Sequence, residues 1–170
     1  MRLAIVGAGN LGLAIARRCF EVGVVSADEL LLVERDEERR TLLARDPELR
    51  VVEEPSADLG GYDVLLVAVK PQDFQPLGRA LGAFLLPDQL VISVMAGIPT
   101  ATLAATLNHA KVVRTMPNLG VMAGKGVTGW YGSRELGPLA DPVESIFGAV
   151  GRVCRVDKEE LLDVVTALSG

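Results

Sequence analysis

The sequence is poor in several residue types, and each scarcity narrows the class of protein. Aromatic residues make up only 4% of the 170 residues, and there are one histidine and two cysteines. Two cysteines, Cys19 and Cys154, are too few for a disulfide framework, so we expect two buried free thiols in a reducing, cytoplasmic compartment. The one histidine, His109, belongs to no Ser-His-Asp or Cys-His set, which argues against a hydrolase. We expect His109 to be a satisfied surface or turn residue.

Long apolar runs and an excess of positive charge are also missing. The longest apolar stretches, such as VLLVAV at 64–69, are strand-sized and far too short for a membrane span. The net charge of −5 argues against nucleic acid or an anionic membrane as the main partner. We expect no signal peptide, because Arg2 leads directly into a strand-like run. We also expect no metal site, because no cluster of His, Cys, Asp and Glu has ligand spacing.

What the sequence does contain is a regular alternation of buried strands and helices. Its hydrophobic content of 49% and charged content of 23% are those of a globular chain with one core. Nearly continuous apolar runs, typical of strands buried on both faces, lie at 2–6, 30–33, 64–69, 90–93 and 111–116. Helical periodicity lies near 11–23, 36–46, 73–86 and 99–108. This alternation predicts a single-domain α/β fold, a doubly wound, mostly parallel, Rossmann-like sheet.

The first strand runs into glycines spaced G-x-G-x-x-G at Gly7, Gly9 and Gly12. In this motif Gly7 permits the turn out of the strand, Gly9 lets a pyrophosphate approach the backbone, and Gly12 lets the helix pack closely. The helix that follows directs its free N–H groups and the positive end of its dipole at the phosphates. The motif therefore predicts dinucleotide binding, with a structural glycine turn as the alternative.

Two charged residues at the end of the second strand bear on which dinucleotide binds. Glu34 lies 22 residues beyond Gly12, near the ~20-residue spacing expected of a ribose ligand. Glu34 would accept hydrogen bonds from a free 2′-OH, as in NAD, whereas Arg35 would pair with a 2′-phosphate, as in NADP. The third alternative is that both are solvated residues at a strand end.

Three later turns follow strand ends at the same predicted edge, where open α/β folds bind ligands. In VLLVAVKPQ, Lys70 would place a cation near a cofactor or simply end the strand in solvent. In VISVMAGIPT, the small pair Ala96-Gly97 would let a flat ring or a ribose lie against the backbone, or would form a tight turn. In VVRTMPNLG, Asn118 would offer an amide that both donates and accepts hydrogen bonds.

Four stretches, VGAGNLG, AVKPQ, MAGIPT and VVRTMPN, resemble in order and spacing the pyrroline-5-carboxylate reductase family, and the resemblance extends to the closing LLDVVTALSG. It implies hydride transfer from NADPH or NADH to the C=N bond of 1-pyrroline-5-carboxylate, giving L-proline in amino-acid biosynthesis. NADP(H) is expected as the cofactor, with NAD(H) as a second. The resemblance implies a set of cofactor-binding residues: Gly7, Ala8, Gly9, Asn10 and Leu11 at the pyrophosphate, Glu34 and Arg35 at the ribose, and Ala68, Val69, Lys70, Pro71, Ala96, Gly97 and Asn118 at the nicotinamide half.

The resemblance also implies a division of the protein. Residues 1–158 would form the NADP-binding domain, and 159–170 would begin the helix leading into a helical dimerisation domain that this chain lacks. That domain would bind the cyclic imino acid and supply the catalytic contacts, so the chain alone would be poorly active and the full-length enzyme a homo-oligomer. Leu119-Gly120 depart from the family, which commonly has Thr-Pro there.

Two other functions fit the same motifs. A different NADP-dependent reductase with a related first domain, such as a β-hydroxyacid dehydrogenase or a deazaflavin-dependent NADP reductase, would share the glycine loop and the AVKP strand. A non-catalytic dinucleotide-binding or regulatory module would share the glycine loop alone. The RTMPN turn favours the imine reductase over the β-hydroxyacid dehydrogenase and the deazaflavin-dependent NADP reductase.

Overall fold

In residues 1–132, 136 and 140–169, which a computed structural model describes, eight strands form one sheet in the order β3-β2-β1-β4-β5-β6-β7-β8. The strands are β1 (Leu3–Val6), β2 (Leu30–Val33), β3 (Arg50–Val52), β4 (Val64–Val67), β5 (Leu90–Ser93), β6 (Val112–Pro117), β7 (Gly126–Gly132) and β8 (Gly151–Arg155). The apolar runs of the sequence predict the first, second, fourth, fifth and sixth of these within two residues.

The direction and order of the strands confirm the doubly wound fold. Every neighbouring pair is parallel except β6 and β7, which are antiparallel. The chain runs from β1 outward through β2 to β3, then returns to β4 on the other side of β1 and continues outward. Open α/β sheets bind ligands beyond the carboxyl ends of their strands at such a reversal. The expected ligand crevice therefore lies between β1 and β4.

Helices cover both faces of the sheet. In the described part of the chain they are α1 (Asn10–Glu21), α2 (Glu37–Leu43), α3 (Phe74–Gly82), α4 (Thr100–Leu107), α5 (Ala140–Gly148) and α6 (Glu160–Ser169). None of them combines the length and the apolar character that crossing a membrane requires. Because side chains alternate along a strand, Leu3 and Ile5 of β1 pack with α1 and α5, while Ala4 and Val6 pack with α3 and α4.

The short strand β3 was not predicted. Its three residues lie at the sheet edge, where Arg50 is exposed and Val51 is half-buried. An edge strand this short, preceded by Pro47 and followed by the charged pair Glu53-Glu54, has no apolar run long enough to stand out. β3 is recognised as a strand by its parallel pairing with β2, and this pairing depends on the tertiary structure.

Two expectations for single residues were wrong in part. Cys19 is buried as expected, and burial raises the pKa of its thiol to about 12, but Cys154 is exposed because it lies on the edge strand β8. His109 is satisfied, since its Nε2 lies 2.7 Å from Gln89 O, yet it is buried rather than at the surface. The Gln89 carbonyl needs a donor there, and His109 provides it.

Candidate functional site

The carboxyl ends of β1, β2, β4, β5 and β6 meet at one edge of the sheet, and the predicted site residues follow these ends. Main-chain hydrogen bonds join neighbouring loops there, from Gly7 N to Val33 O (2.9 Å) and from Ala68 N to Val6 O (2.8 Å). The glycine loop, the end of β2 and the turn after β4 therefore form one surface. The other two predicted turns follow β5 and β6, the next strands along the sheet.

The glycine loop is shaped by close backbone contacts. Gly7 has φ +98°, a conformation that favours glycine, and a Cβ on it would lie 2.7 Å from Ala68 O. A Cβ on Gly12 would lie 2.1 Å from Gly7 O, so the first turn of α1 packs directly on the loop. At Gly9 the nearest atom to such a Cβ is Arg39 Nη1, at 3.4 Å. The protein thus requires glycine at the two outer positions and leaves space over the middle one.

The N-terminus of α1 fits the phosphates of a dinucleotide. Gly9 caps the helix without a side-chain hydrogen bond, and the first turn contains no acidic residue. Its first backbone N–H groups therefore have no side-chain acceptor within the loop. Ala8 is buried and Asn10 is exposed, so the loop follows the helix end with its backbone accessible. The backbone of this loop has no side chain at Gly9, and it therefore fits a pyrophosphate.

Glu34 and Arg35 lie at the end of β2 as predicted, but each already has a partner. Glu34 is half-buried and its Oε1 accepts a hydrogen bond from Asp36 N over 3.0 Å. Arg35 is exposed, and its Nη2 lies 3.3 Å from Asp73 Oδ1. Since Asp73 follows β4, this ion pair links the two loops on either side of the β1 loop.

Arg40 holds the Glu34–Arg35 segment in place. Its Nη1 donates to the carbonyl oxygens of Glu34 and Arg35, each over 3.0 Å, and its Nη2 lies 3.3 Å from Glu53. Arg40 is therefore a structural residue, and the backbone that carries Glu34 and Arg35 is supported from α2.

Sequence reasoning missed Arg39, which lies over the glycine loop. Its Nη1 is 3.4 Å from Ala8 O, and in the described part of the chain no carboxylate lies within ion-pair distance of it. The sequence predicts only a helix near 36–46 and gives no residue of it a place in the site. The signal available was topological: the residues after β2 remain at the carboxyl edge, so the first turn of α2 lies beside the loop.

The turn after β4 contributes backbone rather than charge. Ala68 and Val69 are half-buried, Ala68 O lies beneath Gly7, and Pro71 begins a 3₁₀ turn. Lys70 is exposed. The turn that begins at Ala68 therefore lies against the glycine loop on the β4 side, and the cofactor-binding role of Ala68–Pro71 stays a prediction.

The pair Ala96-Gly97 forms an exposed turn between β5 and α4. Gly97 has φ +72°, and a Cβ on it would meet no atom within 4 Å. The glycine is therefore required by the backbone conformation and not by crowding. The open space above it is compatible with the predicted approach of a flat ring.

Asn118 follows β6, and its amide is oriented by its surroundings. Its Oδ1 accepts hydrogen bonds from Gly120 N over 3.1 Å and from Val127 N over 3.0 Å. Its Nδ2 has no partner among the described residues. The prediction that this amide both donates and accepts toward a ligand is therefore wrong in one half, because the accepting oxygen is used within the loop and only the donor remains.

The chain matches a protein family over more than half of its length. The family model described as NADP oxidoreductase coenzyme F420-dependent matches residues 2–97, from β1 through the turn after β5. The chain belongs to this family. The matched segment of the NADP oxidoreductase family contains the glycine loop, Glu34–Arg35 and Ala68–Pro71, and it ends before β6.

Similarity over nearly the whole chain is to pyrroline-5-carboxylate reductases. The pyrroline-5-carboxylate reductase of Pseudomonas aeruginosa is 33% identical over an alignment of 171 positions, which covers 99% of this chain and 62% of that protein. The chain thus spans less than two thirds of the length of this relative. The resemblance predicted from the four motifs is confirmed, including the part beyond the family model.

Solved structures show the same fold. A pyrroline-5-carboxylate reductase from Coxiella burnetii superposes with a TM-score of 0.90 at 25% identity, over 99% of this chain and 63% of that one. A Plasmodium falciparum pyrroline carboxylate reductase with NADP bound superposes with a TM-score of 0.84 at 21% identity, over 100% of this chain and 62% of that one. The Rossmann-like fold is thereby confirmed.

Sequence reasoning also missed a charge network around the buried Arg114, behind the β5 and β6 turns. Arg114 of β6 is only 2% exposed; its Nη1 lies 3.5 Å from Glu159 Oε1, and its Nη2 binds Asp163. Glu159 also accepts hydrogen bonds from Thr100 N (2.7 Å) and Thr100 Oγ1 (2.8 Å). Arg114 and Thr100 are far apart in sequence from the two acids, so no local pattern indicates this network.

The positions of the histidine, cysteine and acidic side chains bear on whether the chain can hold a metal ion. Within the residues that the structure describes, no three His, Cys, Asp or Glu side chains lie close enough together to hold a metal ion.

Proposed function

We propose that the chain is the dinucleotide-binding part of an enzyme that transfers hydride from NAD(P)H to the C=N bond of 1-pyrroline-5-carboxylate, giving L-proline. The observation that carries this proposal is the similarity to pyrroline-5-carboxylate reductases over 99% of the chain. NADP(H) is the preferred cofactor and NAD(H) the second. A structural neighbour with NADP bound supports this choice.

The site residues divide along the bound dinucleotide. Gly7, Ala8, Gly9, Asn10 and Leu11 hold the pyrophosphate through backbone N–H groups at the start of α1. Glu34 and Arg35 face the adenosine ribose. The nicotinamide half is lined by the backbone of Ala68, Val69, Lys70 and Pro71 on one side, and by Ala96, Gly97 and Asn118 on the other.

Hydride transfer to the C=N bond requires few acid–base residues from this chain. The nicotinamide supplies a hydride when the cofactor is bound. A protonated C=N bond is already electrophilic, so the protein must mainly align the reacting carbons and exclude water. The open turn at Gly97 leaves room for the ring, and Asn118 Nδ2 is the free donor for a carboxamide or carboxylate oxygen beside it.

The rest of the enzyme completes the site. In this proposal residues 1–158 form the cofactor domain, and 159–170 begin the helix that leads into a helical domain. That domain binds the cyclic imino acid, supplies the catalytic contacts and forms a homo-oligomer. The enzyme acts in the cytoplasm, in proline biosynthesis, without nucleic acid or membrane as a partner.

A comparison of two chain lengths tests this function. We expect the 170-residue chain to bind NADPH but to oxidise it with 1-pyrroline-5-carboxylate slowly or not at all. A version extended to the length of the relatives is expected to turn over rapidly, because the substrate-binding wall is then present. NADPH oxidation is followed by absorbance and proline formation by chromatography. An extended protein that binds NADPH but forms no proline would contradict the proposal.

The name of the matched family suggests a second candidate. A family model for coenzyme F420-dependent oxidoreductases matches residues 2–97, so hydride exchange between NADP and a deazaflavin is the alternative reaction. The same extended protein is assayed with NADP and reduced deazaflavin. Turnover there, with none on the imine, would favour the second candidate, and binding without either turnover would favour a regulatory module.

A further inference from the structure

Three arginines lie near the end of β2, and they differ in their partners. Arg35 is paired with Asp73, and Arg40 is paired with Glu53 and bound to two backbone carbonyls. Arg39 contacts only the carbonyl oxygen of Ala8, at 3.4 Å, among the residues that the structure describes. Of the three guanidinium groups, the one over the glycine loop is therefore the one whose charge is uncompensated.

Two carboxylates close to Arg39 in the sequence, Glu34 and Asp36, accept hydrogen bonds from backbone N–H groups at the start of α2. Glu34 Oε1 accepts from Asp36 N over 3.0 Å, and Asp36 Oδ1 caps the helix by accepting from Arg39 N over 2.8 Å. Asp36 therefore touches the backbone of Arg39 and not its guanidinium. Glu34 is half-buried against the same segment, and neither carboxylate forms an ion pair with the Arg39 side chain.

We propose that Arg39 makes this site select a dinucleotide with a 2′-phosphate over one with a free ribose hydroxyl, and that Arg35 does not. The inference rests on the proposed function, because it assumes that a dinucleotide binds along the glycine loop. The inference identifies Arg39 as the residue that determines the preference for NADP over NAD. The opposite charges of Glu34 and Arg35 do not determine that preference.

The position and chemistry of Arg39 suit this task. The ribose of a dinucleotide on a glycine loop lies between that loop and the end of β2, and Arg39 lies beside both. A guanidinium has five N–H donors in a planar fork that matches phosphate geometry. Among the described residues, only one nitrogen of Arg39 is near a protein acceptor. The side chain is exposed, so its remaining donors are available to a ligand.

Arg35 is less suited, although it is adjacent to Glu34. Its Nη2 lies 3.3 Å from Asp73 Oδ1, so this guanidinium already has a carboxylate partner, whereas Arg39 has none among the described residues. A 2′-phosphate would have to compete with Asp73 for the guanidinium and would be repelled by that carboxylate. In this arrangement Arg35 links the loops after β2 and β4 across the crevice, and it contributes to binding both dinucleotides alike.

The test measures binding and not turnover. The Kd values of NADPH and NADH are measured by fluorescence titration for the 170-residue chain and for Arg39→Gln, Arg39→Lys and Arg35→Gln. Arg152→Gln, on the edge strand at the other end of the sheet, is the matched control because its side chain is also exposed. Titration with 2′,5′-ADP and 5′-AMP repeats the comparison without the nicotinamide.

For Arg39→Gln we expect NADPH to bind about 10- to 100-fold more weakly, since charge-assisted hydrogen bonds to the 2′-phosphate are lost. We expect NADH affinity to change less than about threefold, and Arg39→Lys to recover part of the NADPH affinity because the charge remains. Arg35→Gln and Arg152→Gln are expected to leave the NADPH/NADH ratio unchanged. Thermal midpoints confirm that the variants are folded.

Two results would overturn the inference while leaving the proposed function intact. Equal weakening of NADPH and NADH by Arg39→Gln would show that Arg39 contacts a part common to both, such as the pyrophosphate. Loss of selectivity in Arg35→Gln, with Arg39→Gln unaffected, would assign the 2′-phosphate to Arg35. A folded wild-type chain that binds neither dinucleotide would instead contradict the proposed function itself.

Discussion

Replacing Gly12 by alanine is expected to weaken NADPH binding by more than about 100-fold, a larger loss than any single surface change, because it moves the helix that carries several phosphate contacts. The added Cβ would lie 2.1 Å from Gly7 O and 3.3 Å from Ala68 Cβ. Gly7 O is a main-chain atom and Ala68 Cβ is bonded directly to the main chain, so there is no flexible side chain that could move aside. The start of α1 must therefore shift away from the loop, and its N–H groups lose their alignment with the pyrophosphate.

The same substitution is expected to lower the free energy of unfolding by about 1–3 kcal/mol, the usual cost of overpacking. Urea denaturation measures the stability loss and fluorescence titration measures the Kd. Gly148→Ala is the control: Gly148 also lies in a helix, as the last residue of α5, but a Cβ there would meet no atom of the described residues within 4 Å. NADPH affinity within about threefold of wild type in Gly12→Ala would show that α1 does not need this close approach.

The second large effect concerns the buried Arg114 at the back of the site. Replacing both of its acidic partners, as Glu159→Gln with Asp163→Asn, leaves a guanidinium that is 2% exposed without a counter-charge. Uncompensated buried charges cost about 3–5 kcal/mol, so we expect the thermal midpoint to fall by about 6–20 °C. Because Arg114 Nε has no hydrogen-bond partner among the described residues, this buried side chain depends especially on the two acids.

The decisive comparison is with a triple variant that also carries Arg114→Met. Removing the buried cation along with its partners is expected to recover part of the lost stability, because an unbranched apolar side chain fills the space without desolvating a charge. Asp88→Asn serves as the control, since Asp88 pairs with Lys111 at the surface and exposed pairs contribute little. A triple variant less stable than the double would show that Arg114 stabilises through packing and not through its charge.

The parts of the fold that sequence predicted correctly depend on interactions within short segments. The runs at 2–6 and 64–69 indicate parallel strands because both of their faces are buried, which leaves an almost continuous apolar pattern. Gly7 is required by its own backbone conformation, φ +98°, and Gly12 by contact with Gly7 O five residues earlier, so this part of the motif's spacing is visible in the chain. Once these strands are known to be parallel, it follows that their carboxyl ends lie at one edge of the sheet.

The parts that could not be predicted depend on contacts between distant segments. Arg39 reaches Ala8 across 31 residues, and Arg114 reaches Asp163 across 49. A charged residue in a helix is usually solvated, so nothing local distinguishes Arg39 from its neighbour Arg40. The orientation of Asn118 likewise depends on Val127, nine residues away in the next strand. Residue types restrict what such a site contains, whereas these pairings determine which atoms remain free for a ligand.

The place of β1 between β2 and β4 also sets the order of events during translation. The glycine loop leaves the ribosome early, but the floor beneath Gly7 is Ala68, and β1 gains its second neighbour only when Val64–Val67 has been made. A nascent chain that has not yet reached residue 68 therefore displays the motif without the pocket. If the chain binds a dinucleotide as proposed, its glycine loop is complete only after β4 has been made, so we do not expect the cofactor to act as a template for the earliest steps of folding.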